Sequence, residues 1–402
     1  MKRLTAFLMT AVVVILLLAA CGANGDDDLH TLYFKELQKR KEVIAVFSNH
    51  NTKETEEVRM TAAGEDEDGF TYSCKGNVSA YDTVRFRYDG FNTAEVAFNR
   101  CVSGWRNTNH GFLPYAEGAD DPYQSRLANS ILPADTFNYN NEMYDDVTLT
   151  FNGYDKVIHI WTPDDYDPSS DEKYATVYLL DGQVMIYLGF PNEILMESEH
   201  ADVQVQGMTA ATGYPAIVVA IDTFGDTQGQ YGRMDEMVPD LGELAYEEDT
   251  RKCGTLLSDF IADTVVPYVQ KNYHVYTDAS HTSIVGKSLG GLESFYVALE
   301  HPELFGTAGV MSPAFMLYTD ESWRSYLGEK SFDQHSPFLY FYSGNEVEDN
   351  GDVTDEMAAR LKEMGYPQSR FTYHRDEVGG HDTIIWRGVF SEFLNAMVYQ
   401  QP

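Results

Sequence analysis

From about residue 147 onward the chain repeats one alternation: a short run that is apolar along nearly its whole length, then a segment with helical spacing. The runs at 175–180 (ATVYLL), 216–221 (AIVVAI) and 338–342 (FLYFY) have no polar face. A strand apolar on both faces must be covered on both, which is the situation of a largely parallel sheet flanked by helices. Further strand candidates lie at 157–161, 283–285 and 370–374. Between them, 256–272 places Leu257, Phe260, Ile261, Thr264, Val265 and Tyr268 at helical spacing. Thr354 is positioned to cap a helix running through Met357 and Leu361 and stopping at Gly365. The last helix is expected over 383–399, with Ile385, Val389, Phe393 and Met397 on one stripe. The expectation is a doubly wound, mostly parallel α/β domain over 146–402.

Residues 30–145 read differently. Short alternating or aromatic runs at 70–74, 83–88 and 94–98 are broken by Gly, Asn and Asp, and Asp89-Gly90 is a tight-turn pair. This predicts a small antiparallel β-sandwich. The stretch 107–124, rich in Asn, Gly, Pro and Asp, is expected to be a long loop. With Trp105 and several Tyr, the segment resembles an accessory carbohydrate-binding sandwich. The same aromatics would equally serve as the core of a small domain.

The first twenty residues read as an export signal: Lys2 and Arg3, then an apolar run over 11–20 that is short for a membrane span. Leu18-Ala19-Ala20-Cys21 resembles the lipobox of bacterial lipoproteins. The resemblance implies lipid on Cys21, a tether over 21–29, and a protein held on the outer face of a bacterial membrane by that lipid alone. The alternative is an ordinary cleaved signal with an incidental Cys. The formal net charge of −35 disfavours nucleic acid, anionic lipid surfaces and polyanionic substrates. Export permits disulfides, and Cys74 with Cys101, in one strand-rich segment, is the expected pair. Cys253 reads as a lone thiol.

The chemistry concentrates on three loops of the second segment. Gly286-Lys287-Ser288-Leu289-Gly290-Gly291 follows a strand and opens a helix, the context that a G-x-S-x-G nucleophile elbow requires. A Ser hydroxyl needs a base, and in folds of this type the order along the chain is Ser, acid, His. Gly379-Gly380-His381, after the last strand, places His381 as that base. The acid is expected after the strand ending at 342, within Asn345-Glu346-Val347-Glu348-Asp349. Glu346 comes first because it is nearest the strand end, with Glu348 and Asp349 as alternatives. The oxyanion donors are expected to be the backbone N–H groups of Leu289 and of Gln183, the latter in the turn Asp181-Gly182-Gln183. Asp181 reads as a turn-former. His301 and His374 read as structural. No HExxH or CxxC motif occurs, and neither metal nor cofactor is expected.

Tyr178 to Gln183, Arg233 with Glu236 and Pro239, Gly286 to Gly291, His301-Pro302-Glu303-Leu304-Phe305-Gly306, Ser312-Pro313, Gly379 to His381 and Trp386-Arg387 together resemble the esterase D-type family. That family includes enterochelin esterases, feruloyl and acetyl-xylan esterases and mycolyltransferases. The resemblance spans about 147–398 and implies an α/β-hydrolase fold and a serine carboxylic ester hydrolase working through an acyl-enzyme. Ser288, His381 and an acid within 346–349 would form its triad. The expected substrate is a feruloyl or acetyl ester on plant polysaccharide. A siderophore trilactone is the second reading and acyl transfer between sugars the third. A surface-binding lipoprotein with an inactive α/β domain is the reading from another class.

Overall fold

The computed structural model describes residues 29–399 apart from 37, 50–51, 67–68, 78–79, 82, 94–95, 98–103, 109–110, 116–143, 164–165, 186–200, 224–231, 247–249, 378 and 382. The export segment, Cys21, most of the tether and Cys101 lie outside the described residues, as does the side chain of Trp105. Cys74 is half-buried.

The N-terminal strands are β1 (Leu29–Glu36), β2 (Ile44–Asn49), β3 (Glu54–Arg59), β4 (Thr61–Asp66), β5 (Gly69–Asn77), β6 (Thr83–Tyr88), β7 (Phe91–Asn92), β8 (Val96–Ala97), β9 (Gly104–Thr108) and β10 (Gly111–Tyr115). They form two sheets, β10-β9-β1-β5-β4 and β3-β2-β6-β7, with β8 on the flank of β6. Leu32 and Phe34 from the first sheet meet Ala45, Phe47, Val84 and Phe86 from the second in one buried cluster. Phe34 stacks on Phe86 with centroids 4.3 Å apart. Asp89-Gly90 turns at φ 52° and 87°, the left-handed pair expected of a two-residue hairpin. The stretch expected as a loop from 107 is instead partly a hairpin, β9–β10, and β9 pairs in parallel with β1. The turn-rich composition hid these two strands, of which β9 is paired on both sides, by β1 and by β10.

The second sheet system comprises β11 (Tyr144–Phe151), β12 (Tyr154–Trp161), β13 (Ala175–Leu180), β14 (Ala216–Ile221), β15 (Thr282–Lys287), β16 (Thr307–Met311), β17 (Phe338–Ser343) and β18 (Phe371–Arg375). Their order is β11-β12-β14-β13-β15-β16-β17-β18. β11 and β12 are antiparallel at one edge, and from β14 to β18 every pairing is parallel. Every residue of β13 to β17 is buried. That is the consequence of their apolar sequences: helices cover both faces, and two separate buried clusters lie one on each side. This is an α/β-hydrolase sheet carrying a small N-terminal sheet domain. β11 and β16 were not anticipated; β16 is short and built largely of small residues.

The helices are α1 (Gly182–Met185), α2 (Ala201–Thr212), α3 (Arg233–Glu236), α4 (Gly254–Phe260), α5 (Val266–Asn272), α6 (Leu289–Glu300), α7 (Asp320–Gly328), α8 (Gly351–Glu363) and α9 (Thr383–Tyr399). The helix expected over 256–272 is broken by a π-helical segment, Ile261–Val265, before Pro267 in the first turn of α5. Pro lacks the N–H that a continuous helix would need there. Thr354 lies buried inside α8 rather than at its cap, which is Asn350 at φ 52°.

Candidate active site

β15 ends at Lys287, Ser288 follows at φ 58° and ψ −121°, and α6 begins at Leu289. A positive φ at a residue with a side chain costs on the order of 1–3 kcal/mol and persists only where its surroundings impose it. Here the imposition is steric. A methyl group at Gly286 would lie 2.1 Å from the Gly290 carbonyl oxygen, and one at Gly291 would lie 2.7 Å from that of Met311. The Ser288 N–H donates to the Met311 carbonyl at 2.9 Å, holding the turn against β16.

His381 Nε2 lies 3.1 Å from Ser288 Oγ, across 93 positions of sequence. On its other side Nδ1 lies 2.9 Å from Asp349 Oδ1. The Asp349 side chain is fully buried, and its second oxygen accepts the Gly344 N–H. The three groups form a chain from buried carboxylate, through imidazole, to a partly exposed hydroxyl. Trp386 packs edge-on against the His381 ring, centroids 4.7 Å apart, and donates from Nε1 to Ser312 Oγ at 2.7 Å. Lys287 Nζ sits 4.9 Å over the other part of this arrangement, the Trp386 ring.

The expectation that placed Glu346 first against His381, with Glu348 and Asp349 as alternatives, is corrected to the last of the three: the carboxylate at His381 is Asp349. Glu346 is exposed, and its carboxylate lies along the backbone of Gly380, where a methyl would come within 2.2 Å of it. A single 3₁₀ turn, Val347–Asp349, reverses the chain so that the third acid points inward and the first outward. Nearness to the strand end was therefore the wrong criterion. The side chain of Glu348 is outside the described set.

Leu289 is the first residue of α6 and Gln183 the second of α1, so neither N–H has an acceptor within its own helix. β13 and β15 are adjacent and parallel, which sets these two helix starts side by side at one edge of the sheet. Asp181 turns at φ 58° and is buried, with Arg233 forked onto its two oxygens at 2.7 and 2.8 Å. Thr223 Oγ1 donates to it at 2.9 Å. Arg233 also donates to the Lys287 carbonyl at 3.3 Å, tying the turn to the elbow. Burial opposes the Arg233 charge, but the paired carboxylate outweighs it and holds its pKa above the ordinary value. Gln183 clamps Thr223 through its side chain, donating to Oγ1 at 2.7 Å and accepting the Thr223 N–H at 3.0 Å.

Beneath α3 and α6 lies a buried ionic group that sequence reasoning missed. Lys156 Nζ donates to Glu236 Oε2 at 2.8 Å, with neither side chain exposed to solvent. Glu293 of α6 is buried close by. Burial, and then the neighbouring Glu236 charge, pushes its pKa well above the usual carboxyl range. Replacing Lys156 by methionine strands Glu236 without its cation. Removing one partner of a buried pair costs about 3–5 kcal/mol, and that loss is expected in the midpoint of urea unfolding. A change under about 1 kcal/mol would mean that water reaches the pair.

His374 is buried against Glu392, with Nδ1 at 2.6 Å from Oε2, and His301 ends α6 with Nε2 at 3.1 Å from Ser258 Oγ. Their hydrogen-bonding partners are thus elsewhere. Cys253 is buried at the start of α4, where burial raises the pKa of its thiol. Among the described residues no group of three or more His, Cys, Asp and Glu is arranged to hold a metal ion.

Residues 153–390 match the family model described as "Putative esterase". Over 137 residues the chain is 24 % identical to an endo-1,4-beta-xylanase/feruloyl esterase of Xylanibacter ruminicola. That match takes in 34 % of this chain and 17 % of the length of that protein. Among solved structures, an IroE-like serine hydrolase from Shewanella oneidensis superposes with a TM-score of 0.50 at 18 % identity, over 63 % of this chain and 80 % of that one. The enterobactin esterase FES from Shigella flexneri aligns over 94 % of both chains at 12 % identity and a TM-score of 0.46.

Proposed function

Since the chain belongs to this esterase family and is therefore a carboxylic ester hydrolase, we propose that it works through Ser288, His381 and Asp349 by way of an acyl-enzyme. The observation that carries the reading is the continuous chain Asp349–His381–Ser288, with contacts of 2.9 and 3.1 Å, ending on a strained elbow. In this reading His381 Nε2 takes the proton from Ser288 Oγ as the oxygen attacks the ester carbonyl. Asp349 holds the ring so that Nδ1 carries its proton and Nε2 is free to accept one, and it stabilises the imidazolium that forms. The N–H groups of Leu289 and Gln183, at paired helix starts, meet the negative charge on the carbonyl oxygen. His381 then returns its proton to the leaving alcohol, and a water molecule activated by the same ring releases the acid.

For substrate, a feruloyl or acetyl ester borne on a plant polysaccharide is the reading we favour. Its support is the 24 % identity to a protein named as a xylanase/feruloyl esterase. Assaying feruloylated and acetylated xylan beside a catecholate trilactone tests it. Release of ferulate or acetate at a kcat/KM at least about tenfold above that for the trilactone, a difference of 1.4 kcal/mol in transition-state binding, is expected. The opposite ranking would make the siderophore reading the correct one.

A further inference from the structure

The N-terminal sheet domain reaches the loop that carries His381 through two neighbouring side chains, of which one is buried. Arg40 lies between β1 and β2, and its Nη1 donates to both oxygens of Asp376, at 2.9 and 3.1 Å. Arg40 is 8 % exposed and Asp376 2 %. The arginine is held in place from its own domain. Its N–H donates to Tyr72 Oη at 2.8 Å, and that hydroxyl donates back to its carbonyl at 3.2 Å. Tyr88 lies under the guanidinium, 4.5 Å from ring centre to Cζ, and Glu36 is 3.5 Å from Nη2. Next along the chain, exposed Lys41 pairs with Glu377.

Asp376 is five residues before His381 and directly follows β18. Its N–H donates to the Ser343 carbonyl at 2.9 Å, and Tyr342 Oη lies 3.4 Å from its Oδ2. Gly379 is pressed onto this pair: a methyl there would fall 2.0 Å from Tyr342 Oη and 2.9 Å from Asp376 Oδ2. The Gly379 carbonyl in turn accepts the N–H groups of Asn345 and Glu346, at 2.8 and 3.1 Å, from the loop that bears Asp349. Contacts thus run from Arg40 through Asp376 to Gly379, two residues before His381 in the chain, and on through Glu346 to the backbone of Asp349.

We propose that Arg40 is a positioning residue for ester hydrolysis, by which the N-terminal sheet domain holds the His381 loop in register with Ser288. The domain is then a working part of the catalytic unit rather than a detachable appendage. Burial works against the Arg40 charge, but Glu36 and then Asp376 are among the groups that outweigh it, so the cation persists at any pH at which the protein is folded. Without it, the Asp376 carboxylate loses the Nη1 donor that bridges its two oxygens, and the Gly379 backbone seated on it is free to shift. Displacing a catalytic group by about 1 Å costs on the order of 10²-fold in rate. The inference rests on the triad reading above.

The test is steady-state kinetics of Arg40→Ala and Arg40→Lys on p-nitrophenyl acetate, beside Ser288→Ala, at a temperature where each variant keeps the parent's near-ultraviolet circular dichroism. Arg40→Ala is expected to lower kcat about 10–100-fold with KM within about twofold. Arg40→Lys, which keeps the charge and loses the planar group packed over Tyr88 and its second nitrogen near Glu36, is expected to recover part of the loss. A purely structural role would lower activity only in proportion to the folded fraction, and kcat within about twofold of the parent would overturn the proposal. If Arg40→Ala does not fold, Tyr72→Phe carries the test. It removes both hydroxyl bonds to the Arg40 backbone, and an unchanged kcat would likewise overturn the proposal. Should Ser288→Ala stay active, it is the triad reading that fails; a silent Ser288→Ala beside an unimpaired Arg40→Ala fails the positioning role alone.

Discussion

Ser288→Ala is expected to lower kcat on a short p-nitrophenyl ester by about 10⁴–10⁶-fold, the usual consequence of removing such a nucleophile. The unfolding midpoint should move little, because the hydroxyl's hydrogen bond to His381 contributes only about 1 kcal/mol net. What activity remains would come from binding and from the amides of Leu289 and Gln183, which the substitution leaves in place. Parallel labelling with a fluorophosphonate probe separates chemistry from folding: the parent should label and the variant should not. A kcat reduced only a few-fold would remove Ser288 from the mechanism and with it the reading of the elbow.

The second large effect distinguishes the acids. Asp349→Asn keeps the size of the side chain, but an amide can donate to Nδ1 and so force the proton onto Nε2, the nitrogen that must accept from Ser288. In serine hydrolases a change of this kind costs about 10⁴-fold in kcat, and about 10³–10⁴-fold is expected here. Glu346→Gln should cost no more than a few-fold, since Glu346 is exposed, makes its hydrogen bond to the His381 loop through its backbone N–H, and glutamine keeps the shape of the side chain that lies along Gly380. Measured kcat values for the two variants, with the reverse ranking, would return the acid to Glu346 and make the Asp349 contact a structural one.

The difference between these two carboxylates shows where reading along the chain stops. Three acids within four residues all satisfy the requirement of chain order, and only the turn at Val347–Asp349 decides which one points at the imidazole. The strand β16 escaped notice for a related reason: Thr307-Ala308-Gly309-Val310-Met311 has little intrinsic strand character and is a strand because β15 and β17 pair with it on either side. The β9–β10 hairpin is the same case in the first domain, where a turn-rich stretch is drawn into a sheet by the pairing of β9 with β1. By contrast, the strands at 175–180 and 216–221 and the helix over 383–399 appear where their apolar patterns place them.

Local sterics and periodicity are properties of neighbouring residues, and they determined the doubly wound sheet, the elbow at Ser288 and the position of His381 on the loop after the last strand. A glycine pattern that permits only one backbone path can be read without knowing what surrounds it. Which carboxylate completes the site, the Lys156–Glu236 pair beneath it and the grip of Arg40 on Asp376 were decided by the tertiary structure alone. Each depends on the direction of side chains brought together from distant parts of the chain, 336 positions apart in the case of Arg40 and Asp376. No spacing in the sequence encodes such a direction, because it is set by how segments distant along the chain come to pack.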